Sequence, residues 1–202
     1  MAAPRANTDR IEAVVIGTSA GGVEALSVVL PALPAGVCAP VFVVLHLPRE
    51  RPSLLADIFR PKCAVAVSEA MDKDPIEHGT VYFAPPDYHL LIEEGPTIAL
   101  SDDEPVHHSR PSVDVLFESA ADAFGPALLA ILLTGGNQDG AAGLTAVRQA
   151  GGVTVVQDPA EAQAPTMVEA ALARGPVDHQ LRLAEIADLL RGLKTRKGRR
   201  RG

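Results

Sequence analysis

The segment EAVVIGTSAGGVEALSVVL, Glu12–Leu30, decides the fold. The apolar run Glu12–Ile16 predicts a buried strand, and Gly22–Leu30 predicts a helix because its apolar residues recur at helical spacing. Between them lies the glycine-rich turn Gly17–Gly22, with Ser19 near its centre. A strand that passes through a tight turn directly into a helix is typical of the start of an α/β unit.

The composition indicates one aliphatic domain. The chain has 202 residues, of which 47% are apolar and only 3% aromatic, so its core is built from Val, Leu, Ile and Ala. Such a core favours a buried parallel sheet flanked by helices over an aromatic-rich β-sandwich. The sequence has no apolar run that could span a bilayer and no signal-peptide core, and Cys38 and Cys63 lack the spacing of a disulfide framework or a metal site. We expect a soluble cytoplasmic protein with no cofactor and no membrane insertion.

The net charge of −7 is unevenly distributed. The C-terminal segment KTRKGRRRG carries six of the 18 basic residues, and the rest of the chain has 12 basic against 25 acidic residues. Such an acidic body argues against a nucleic-acid-binding surface on the domain. We predict an N-terminal extension over residues 1–10, one folded domain over 11–192, and a basic, disordered tail over 193–202. That tail is either a solvated end or a segment that binds an acidic partner.

Strands and helices alternate along most of the domain. Further strands are predicted at Val41–Leu45, Ala64–Val67, Ala127–Leu133 and Val153–Gln157. Helices are predicted at Ser53–Phe59 with Pro52 at its start, from Pro111 onward, and at Leu144–Gln149, Met167–Ala173 and Ala184–Leu190. In contrast, Thr80–Leu100 has three short apolar runs separated by turn-forming residues, which is typical of an antiparallel hairpin or small meander. The pattern predicts a doubly wound three-layer α/β/α fold with a mostly parallel sheet and an antiparallel insertion.

Three polar residues each follow the end of a predicted strand. They are Ser19, His46 and Asp139. In a doubly wound sheet, ligands bind beyond the carboxyl ends of the strands. We therefore expect these side chains to lie at one edge of the sheet, where a site would form.

The glycine-rich turn does not match the known phosphate-binding patterns. A P-loop requires a lysine that this turn lacks. The dinucleotide fingerprint requires glycines at Gly-x-Gly-x-x-Gly spacing, whereas here they fall at Gly17, Gly21 and Gly22. Nucleotide binding is therefore not favoured.

Two interpretations of the turn remain. In the first, the glycines only permit a tight connection and Ser19 caps the helix. In the second, Gly-x-Ser-x-Gly is a nucleophile elbow, in which Ser19 is exposed and the N–H groups of Ala20 and Gly21, aided by the helix dipole, stabilise an oxyanion.

The second interpretation also requires a base and an acid. A serine nucleophile needs a base, and His46 is the histidine directly after a core strand, whereas His179 lies in a polar stretch. Asp139 is the candidate acid, although it is also well placed to be the N-cap of the helix that follows it.

Six ordered blocks carry a resemblance to a known family. They are IGTSAGG, LHLP, APPDYHL, RPSVDVLFESAA, ILLTGGNQDGAAGL and GGVTVVQD. In order and spacing they resemble the catalytic domain of the CheB chemotaxis protein-glutamate methylesterases, from about Ile11 to Leu190. The resemblance implies a serine hydrolase that removes γ-methyl esters from glutamate residues of chemoreceptor helices and releases methanol, and some members also deamidate glutamines.

The resemblance also assigns roles and partners. It implies that Ser19 is the nucleophile, His46 the general acid and base, and Asp139 the residue that orients the imidazolium. By the same resemblance, Ala20, Gly21 and Gly136 would form the oxyanion turns. The implied partner is a methylated chemoreceptor helix in the cytoplasm or another methylated protein.

Three departures from the family pattern leave an alternative open. The family commonly carries an upstream receiver domain, but here the first strand starts by Ile11, so activity is expected to be either constitutive or governed by a separate partner, such as a receiver-domain regulator. The loop Thr134–Gly140 reads TGGNQDG where the family usually reads Thr-Gly-Met-Gly-x-Asp-Gly. The block QDPAEAQAPTMVEAAL matches only loosely. The alternative is therefore a weak or inactive CheB-like module that binds a protein partner.

The remaining polar residues are predicted to have ordinary surface roles. His78 and His89 are expected at the surface or in turns. Arg110 could contact a carboxylate near the site, but a solvated side chain is favoured. His107 and His108 are adjacent, so they would point to opposite sides of an extended chain and are not expected to share a metal.

Overall fold

The computed structural model describes residues 8–47, 52–93, 95 and 97–196. The strands are β1 (Ala13–Thr18), β2 (Val41–Leu45), β3 (Ala66–Glu69), β4 (Thr80–Phe83), β5 (His89–Ile92), β6 (Ile98–Ser101), β7 (Leu128–Leu132), β8 (Val153–Gln157) and β9 (His179–Leu181). The α-helices are α1 (Gly22–Val29), α2 (Leu55–Phe59), α3 (Val113–Phe124), α4 (Ala141–Gln149), α5 (Thr166–Arg174) and α6 (Leu183–Arg191).

Seven strands form one parallel sheet in the order β3-β4-β2-β1-β7-β8-β9. The central strand β1 pairs with β2 on one side and β7 on the other, with Thr18 opposite Leu45 and Gly17 opposite Leu132. Every residue of β1, β2, β7 and β8 is buried. A parallel sheet covered on both faces produces this pattern, because no strand has a solvent side.

Two apolar layers cover the sheet. On one face α1, α2 and α6 pack over β1 and β2, and Leu26, Phe59 and Leu190 are fully buried there. On the other face α3, α4 and α5 pack together with the β5–β6 hairpin, around Phe117 and Met167. The predicted three-layer α/β/α fold with an antiparallel insertion is confirmed.

The insertion is smaller than the sequence pattern indicates. Only β5 and β6 pair antiparallel, while Thr80–Phe83 joins the main sheet in parallel between β2 and β3. All four residues of this strand are buried, with Val81 and Phe83 in one apolar layer and Tyr82 in the other. A strand buried on both faces belongs in the sheet interior, so the interpretation of this run as part of a meander is wrong.

Several elements also differ from the prediction at their ends, and one strand is additional. The second helix begins at Leu55, because the Ser53 hydroxyl accepts the Leu55 N–H and ends the preceding loop, so Pro52 lies before the helix. Strand β3 lies two residues later than predicted. Strand β9, which includes His179, was not predicted, because a short, half-buried polar strand at a sheet edge has little apolar signal.

The C-terminal segment packs further than the predicted domain boundary. Leu193 is buried, Thr195 forms an antiparallel bridge with Val37, and the Lys194 carbonyl accepts the Cys38 N–H. Residues 193–196 therefore belong to the fold, and residues 197–202 lie outside the described part of the chain. Within the described residues, no helix combines the length and the hydropathy that a membrane crossing requires.

Candidate active site

Ser19 and His46 lie side by side at the carboxyl edge of the sheet. Each follows one member of the cross-strand pair Thr18 and Leu45, and the His46 N–H donates to the Thr18 carbonyl at 3.2 Å. The Ser19 N–H donates to the Thr134 carbonyl, in the loop after β7, at 2.9 Å. The pairing of the three central strands therefore brings these loops together, as the sequence predicts.

The Ser19 turn has the geometry of a sharp strand-to-helix elbow. Gly21 has a φ of +79° and is the N-cap of α1, and the Gly22 N–H donates to the Ser19 carbonyl. A Cβ at Gly21 would lie 2.8 Å from the Cβ of Gln163, which is not the end of a flexible side chain, so both the backbone angle and the space favour glycine. Ser19 is partly exposed, and its side chain does not cap α1. The elbow interpretation therefore fits the local structure better than the capping interpretation.

Asp139 points at the imidazole of His46. The Nε2 of His46 lies 2.8 Å from the Oδ2 of Asp139, whose side chain is fully buried. Three further donors serve the same carboxylate: the Ser112 hydroxyl at 2.8 Å, the Val113 N–H at 2.7 Å and the Asp114 N–H at 2.9 Å. The two N–H groups belong to the first turn of α3, so Asp139 lies at the amino end of that helix. It does not cap α4, whose N-cap is Gly140.

The surroundings of Asp139 favour its ionised form. Burial raises its pKa, but the hydrogen bond from His46 and the N–H groups of Asp114 and Val113 outweigh that effect, and the pKa lies below the usual value. The amino end of a helix also favours an anion. An ionised carboxylate only accepts hydrogen bonds, so the Nε2 of His46 donates to it, and in the neutral ring Nδ1 is left with its lone pair.

A second buried carboxylate, Asp114, lies beside the first. Its Oδ1 accepts the N–H of Gly140 at 2.9 Å and that of Gly143 at 2.6 Å, and its Oδ2 lies 3.3 Å from the Nε2 of His107. Burial raises the pKa of Asp114, the charge of Asp139 adds to the rise, and these N–H groups and His107 offset only part of it.

The backbone N–H groups proposed for oxyanion binding are unoccupied. Among the described residues, none accepts a hydrogen bond from the N–H of Ala20, Gly21 or Gly136. Ala20 and Gly136 are exposed, and a Cβ at Gly136 would meet nothing within 4 Å. These groups are therefore available to a ligand at the edge of the sheet.

A buried polar network holds the Ser19 turn against the loop after β7. The Thr134 hydroxyl donates to the Ala20 carbonyl at 2.9 Å, and the Thr18 hydroxyl donates to the Thr134 carbonyl at 2.8 Å. The Thr134 N–H donates to the Oε1 of Gln157 at 2.9 Å. Because each buried polar group is satisfied, the turn is held rigidly before any substrate binds.

Sequence reasoning missed several groups around this site. Ser112 precedes an apolar helix, so its N-cap role was visible, but its bond to Asp139 was not. His89 was expected at the surface, yet it is 2% exposed in β5 and its Nδ1 accepts the Ser112 N–H at 3.1 Å. Arg110 was expected to be solvated, yet its guanidinium binds Asp87. Both expectations were wrong, because these partners come from distant parts of the chain.

The site shows a small pocket and no metal ligand set. A pocket of about 200 Å³ beside His46 is lined by His46, Leu47, His108, Ser109, Arg110 and Pro111. Within the residues that the structure describes, no group of His, Cys, Asp or Glu side chains could hold a metal ion. The arrangement is a serine, an imidazole and a buried carboxylate beside free N–H donors, which are the kinds of group that acyl transfer uses.

Sequence comparison identifies close relatives over most of the chain. A protein of Leptospira interrogans named putative protein-glutamate methylesterase/protein-glutamine glutaminase is 43% identical over 178 residues, which cover 88% of this chain and 92% of that protein. Protein-glutamate methylesterase/protein-glutamine glutaminase 2 of Anaeromyxobacter dehalogenans is 43% identical over 192 residues, which cover 95% of this chain and 56% of that protein.

Structural comparison and a family model agree with these relatives. The crystal structure of the Thermotoga maritima CheB methylesterase catalytic domain matches with a TM-score of 0.85 and 31% identity, covering 89% of this chain and 97% of that one. A family model described as CheB methylesterase matches residues 14–190. The chain therefore belongs to the CheB methylesterase family.

Proposed function

We propose that this chain hydrolyses γ-methyl esters of glutamate residues in chemoreceptor proteins and releases methanol. The observation that carries the proposal is the 2.8 Å contact between His46 and the buried carboxylate of Asp139, beside Ser19 at the same sheet edge. The names of the relatives from Leptospira interrogans and Anaeromyxobacter dehalogenans support the substrate class. The methylated segments of chemoreceptors are cytoplasmic, so the proposed site of action is the cytoplasm.

In the first half of the proposed reaction, the Ser19 oxygen attacks the ester carbonyl carbon. The Nδ1 of His46 takes the hydroxyl proton, and the carbonyl oxygen becomes an oxyanion. When the tetrahedral intermediate collapses, the bond to the methoxy oxygen breaks and His46 returns the proton to that oxygen. Methanol leaves, and a glutamyl ester on Ser19 remains.

In the second half, water replaces the serine. His46 removes a proton from water as it attacks the glutamyl ester, and then protonates the departing Ser19 oxygen. The product is a free glutamate side chain. Asp139 stays ionised throughout, holds Nε2–H and balances the positive charge that His46 acquires in each half.

Backbone N–H groups would stabilise the oxyanion in both halves. Those of Ala20 and Gly21 lie at the amino end of α1, and that of Gly136 lies in the facing loop. Donors held in place before the reaction are worth more than mobile ones, because no free energy is spent on reorienting them. The network around Thr134 supports such preorganisation of the Ser19 turn.

Protein-glutamine deamidation is a second candidate activity. The names of both relatives pair methylesterase with glutaminase. The same acyl-enzyme forms when ammonia leaves in place of methanol, so no further residue is required.

The test is methanol release from methyl-labelled chemoreceptor fragments. We expect Ser19→Ala to lower the rate by about a thousandfold or more, because the nucleophile is lost. Ser27→Ala is the matched control, since Ser27 is half-buried in α1 and, among the described residues, its hydroxyl forms a hydrogen bond only with Lys62. This control should keep full activity.

A serine-directed phosphonate separates failure of the substrate from failure of the mechanism. If methanol is not released but the phosphonate labels Ser19, the chain is a serine hydrolase with another substrate. If the phosphonate labels neither Ser19 nor any other serine, the chain is a binding module, and the proposal is wrong.

A further inference from the structure

Four side-chain contacts form a closed ring through the catalytic histidine. Asp139 contacts the Nε2 of His46 at 2.8 Å, and the Nδ1 of the same ring lies 3.4 Å from the hydroxyl oxygen of Ser109. Asn137 donates from Nδ2 to that hydroxyl oxygen at 3.3 Å, and its Oδ1 accepts the Asp139 N–H at 3.2 Å. The ring joins the loops that follow β2, β6 and β7.

The ring fixes the direction of each hydrogen bond. Asp139 only accepts, so the Nε2 of His46 donates to it and Nδ1 presents its lone pair to Ser109. Asn137 donates to the oxygen of Ser109, so the hydroxyl proton of Ser109 is free to point at Nδ1. The nitrogen that must receive the proton of Ser19 therefore has a hydroxyl donor beside it in the resting protein.

Ser109 is held in place by its own turn. Its N–H and carbonyl both pair with Val106, at 2.8 and 3.1 Å, across His107 and His108, which have φ values of +49° and +63°. His107 is anchored by its 3.3 Å contact with Asp114. A two-residue turn with these angles is a tight hairpin turn, so the position of the serine does not depend on substrate.

We propose that Ser109 is a positioning residue. It donates a hydrogen bond to the Nδ1 of His46 and thereby holds the imidazole against Asp139 until the hydroxyl of Ser19 replaces it at Nδ1. The proposal rests on the proposed function for its kinetic consequence. The 3.4 Å contact is longer than an ordinary hydroxyl hydrogen bond, so exchanging it for one from Ser19 costs little. Among the described residues, no hydrogen bond joins Ser19 to His46. This fits a resting state in which Ser109, and not Ser19, is the partner of Nδ1.

The first test is ¹⁵N NMR of His46 at a pH where the ring is neutral, in wild type, Ser109→Ala and the control Ser27→Ala. We expect the Nδ1 resonance to move in Ser109→Ala toward that of a nitrogen without a donor, while Nε2 keeps its proton. The control should match wild type. An unchanged Nδ1 resonance in Ser109→Ala, or a proton on Nδ1 instead of Nε2 in wild type, would overturn the proposal.

The second test is the kcat/KM of methanol release, which compares the resting protein with the transition state. Because Ser109 bonds to Nδ1 in the resting protein and gives up that place to Ser19 before proton transfer, we expect Ser109→Ala to raise kcat/KM by up to about fivefold, the worth of one hydrogen bond. Ser109→Thr, which keeps a hydroxyl, should return kcat/KM to the wild-type value. A fall in kcat/KM in Ser109→Ala would show that the hydroxyl acts in the transition state, and an unchanged value would remove its role; either result contradicts the proposal.

A second variant covers the case in which Ser109→Ala does not fold. Asn137→Ala keeps the serine hydroxyl but removes the donor that orients it, so the Nδ1 resonance should move in the same direction by a smaller amount. The NMR experiments need no substrate. A chain that releases no methanol would therefore defeat the proposed function and still leave the role of Ser109 to be decided by the Nδ1 resonance.

Discussion

Asp139 and Asp114 are two buried carboxylates, and each accepts hydrogen bonds from the amino end of the helix next to the other. Asp139, just before α4, accepts the first two N–H groups of α3, and Asp114, in the first turn of α3, accepts the N–H groups of Gly140 and Gly143 at the start of α4. They share a residue type and a location, yet their pKa values move in opposite directions. Burial raises the pKa of both, so the difference comes from their hydrogen-bond donors and from the charge of Asp139 beside Asp114.

The hydrogen-bond donors of the two carboxylates differ in number and kind. Asp139 has four of them, including the imidazole of His46, and these keep it charged. Asp114 has two N–H donors and a longer contact to His107, and the neighbouring charge of Asp139 opposes its ionisation. We infer that Asp114 joins the two helices and thereby holds the loop of Asp139, while Asp139 acts on the base.

The largest effect should come from Asp139→Asn. The amide cannot balance the imidazolium of His46 or fix its tautomer, so kcat for methanol release should fall by about a thousandfold to ten-thousandfold, as in other Ser-His-Asp triads. Asp178→Asn is the control, because Asp178 is also a carboxylate with a lowered pKa. Burial raises this pKa, but hydrogen bonds from the N–H and hydroxyl of Thr154 lower it by more. If both variants lose activity equally, the special role of Asp139 is contradicted.

Gly143→Ala should break the link between α3 and α4. A Cβ there would lie 2.6 Å from the Cβ of Phe117 and 3.1 Å from the Cα of Asp114, neither of which is the end of a flexible side chain. Overpacking of this kind costs about 1–3 kcal/mol, which exceeds the gain of about 1 kcal/mol in helix propensity. We expect a lower free energy of unfolding in urea together with a lower kcat, because the loop of Asp139 shifts.

Gly136→Ala is the matched control for that variant. A Cβ at Gly136 meets nothing within 4 Å, and alanine keeps the N–H group that is proposed to bind the oxyanion. Its free energy of unfolding should stay within about 0.5 kcal/mol of wild type. Equal losses of stability in Gly143→Ala and Gly136→Ala would show that the contact between α3 and α4 is not tight.

The central part of the fold could be predicted from the sequence, because the local pattern of apolar and polar residues is clear there. The runs that become β1, β2 and β7 are apolar throughout and end in polar residues, so strand order along the chain and a shared edge were enough to select Ser19, His46 and Asp139. Parallel strands place their carboxyl ends together whatever the exact register. The contact between His46 and Asp139 is one that this reasoning anticipated.

The remainder depends on contacts between distant residues. Nothing near Thr80–Phe83 indicates that the run enters the main sheet. The strands that it pairs with, β2 and β3, lie in earlier parts of the chain and not next to it in sequence. The hydroxyl of Ser112 is 27 residues from Asp139, and that of Ser109 is 63 residues from His46. Periodicity and motif spacing report on the chain within a few residues, so they cannot identify such partners.

The smallest effect, and the most direct comparison of the two carboxylates, is the pH dependence of stability. A carboxylate whose pKa is lowered on folding contributes stability above its unfolded value of about 3.9, and this is lost as pH falls through the folded pKa. The stability advantage of wild type over Asp139→Asn should therefore grow as pH rises from about 3 to 5. A raised pKa acts in the opposite sense, so the advantage of wild type over Asp114→Asn should shrink as pH rises from about 4 to 7. Urea unfolding across this range measures both slopes, with Asp178→Asn expected to follow Asp139→Asn; slopes of the same sign for the two buried carboxylates would refute the distinction drawn between them.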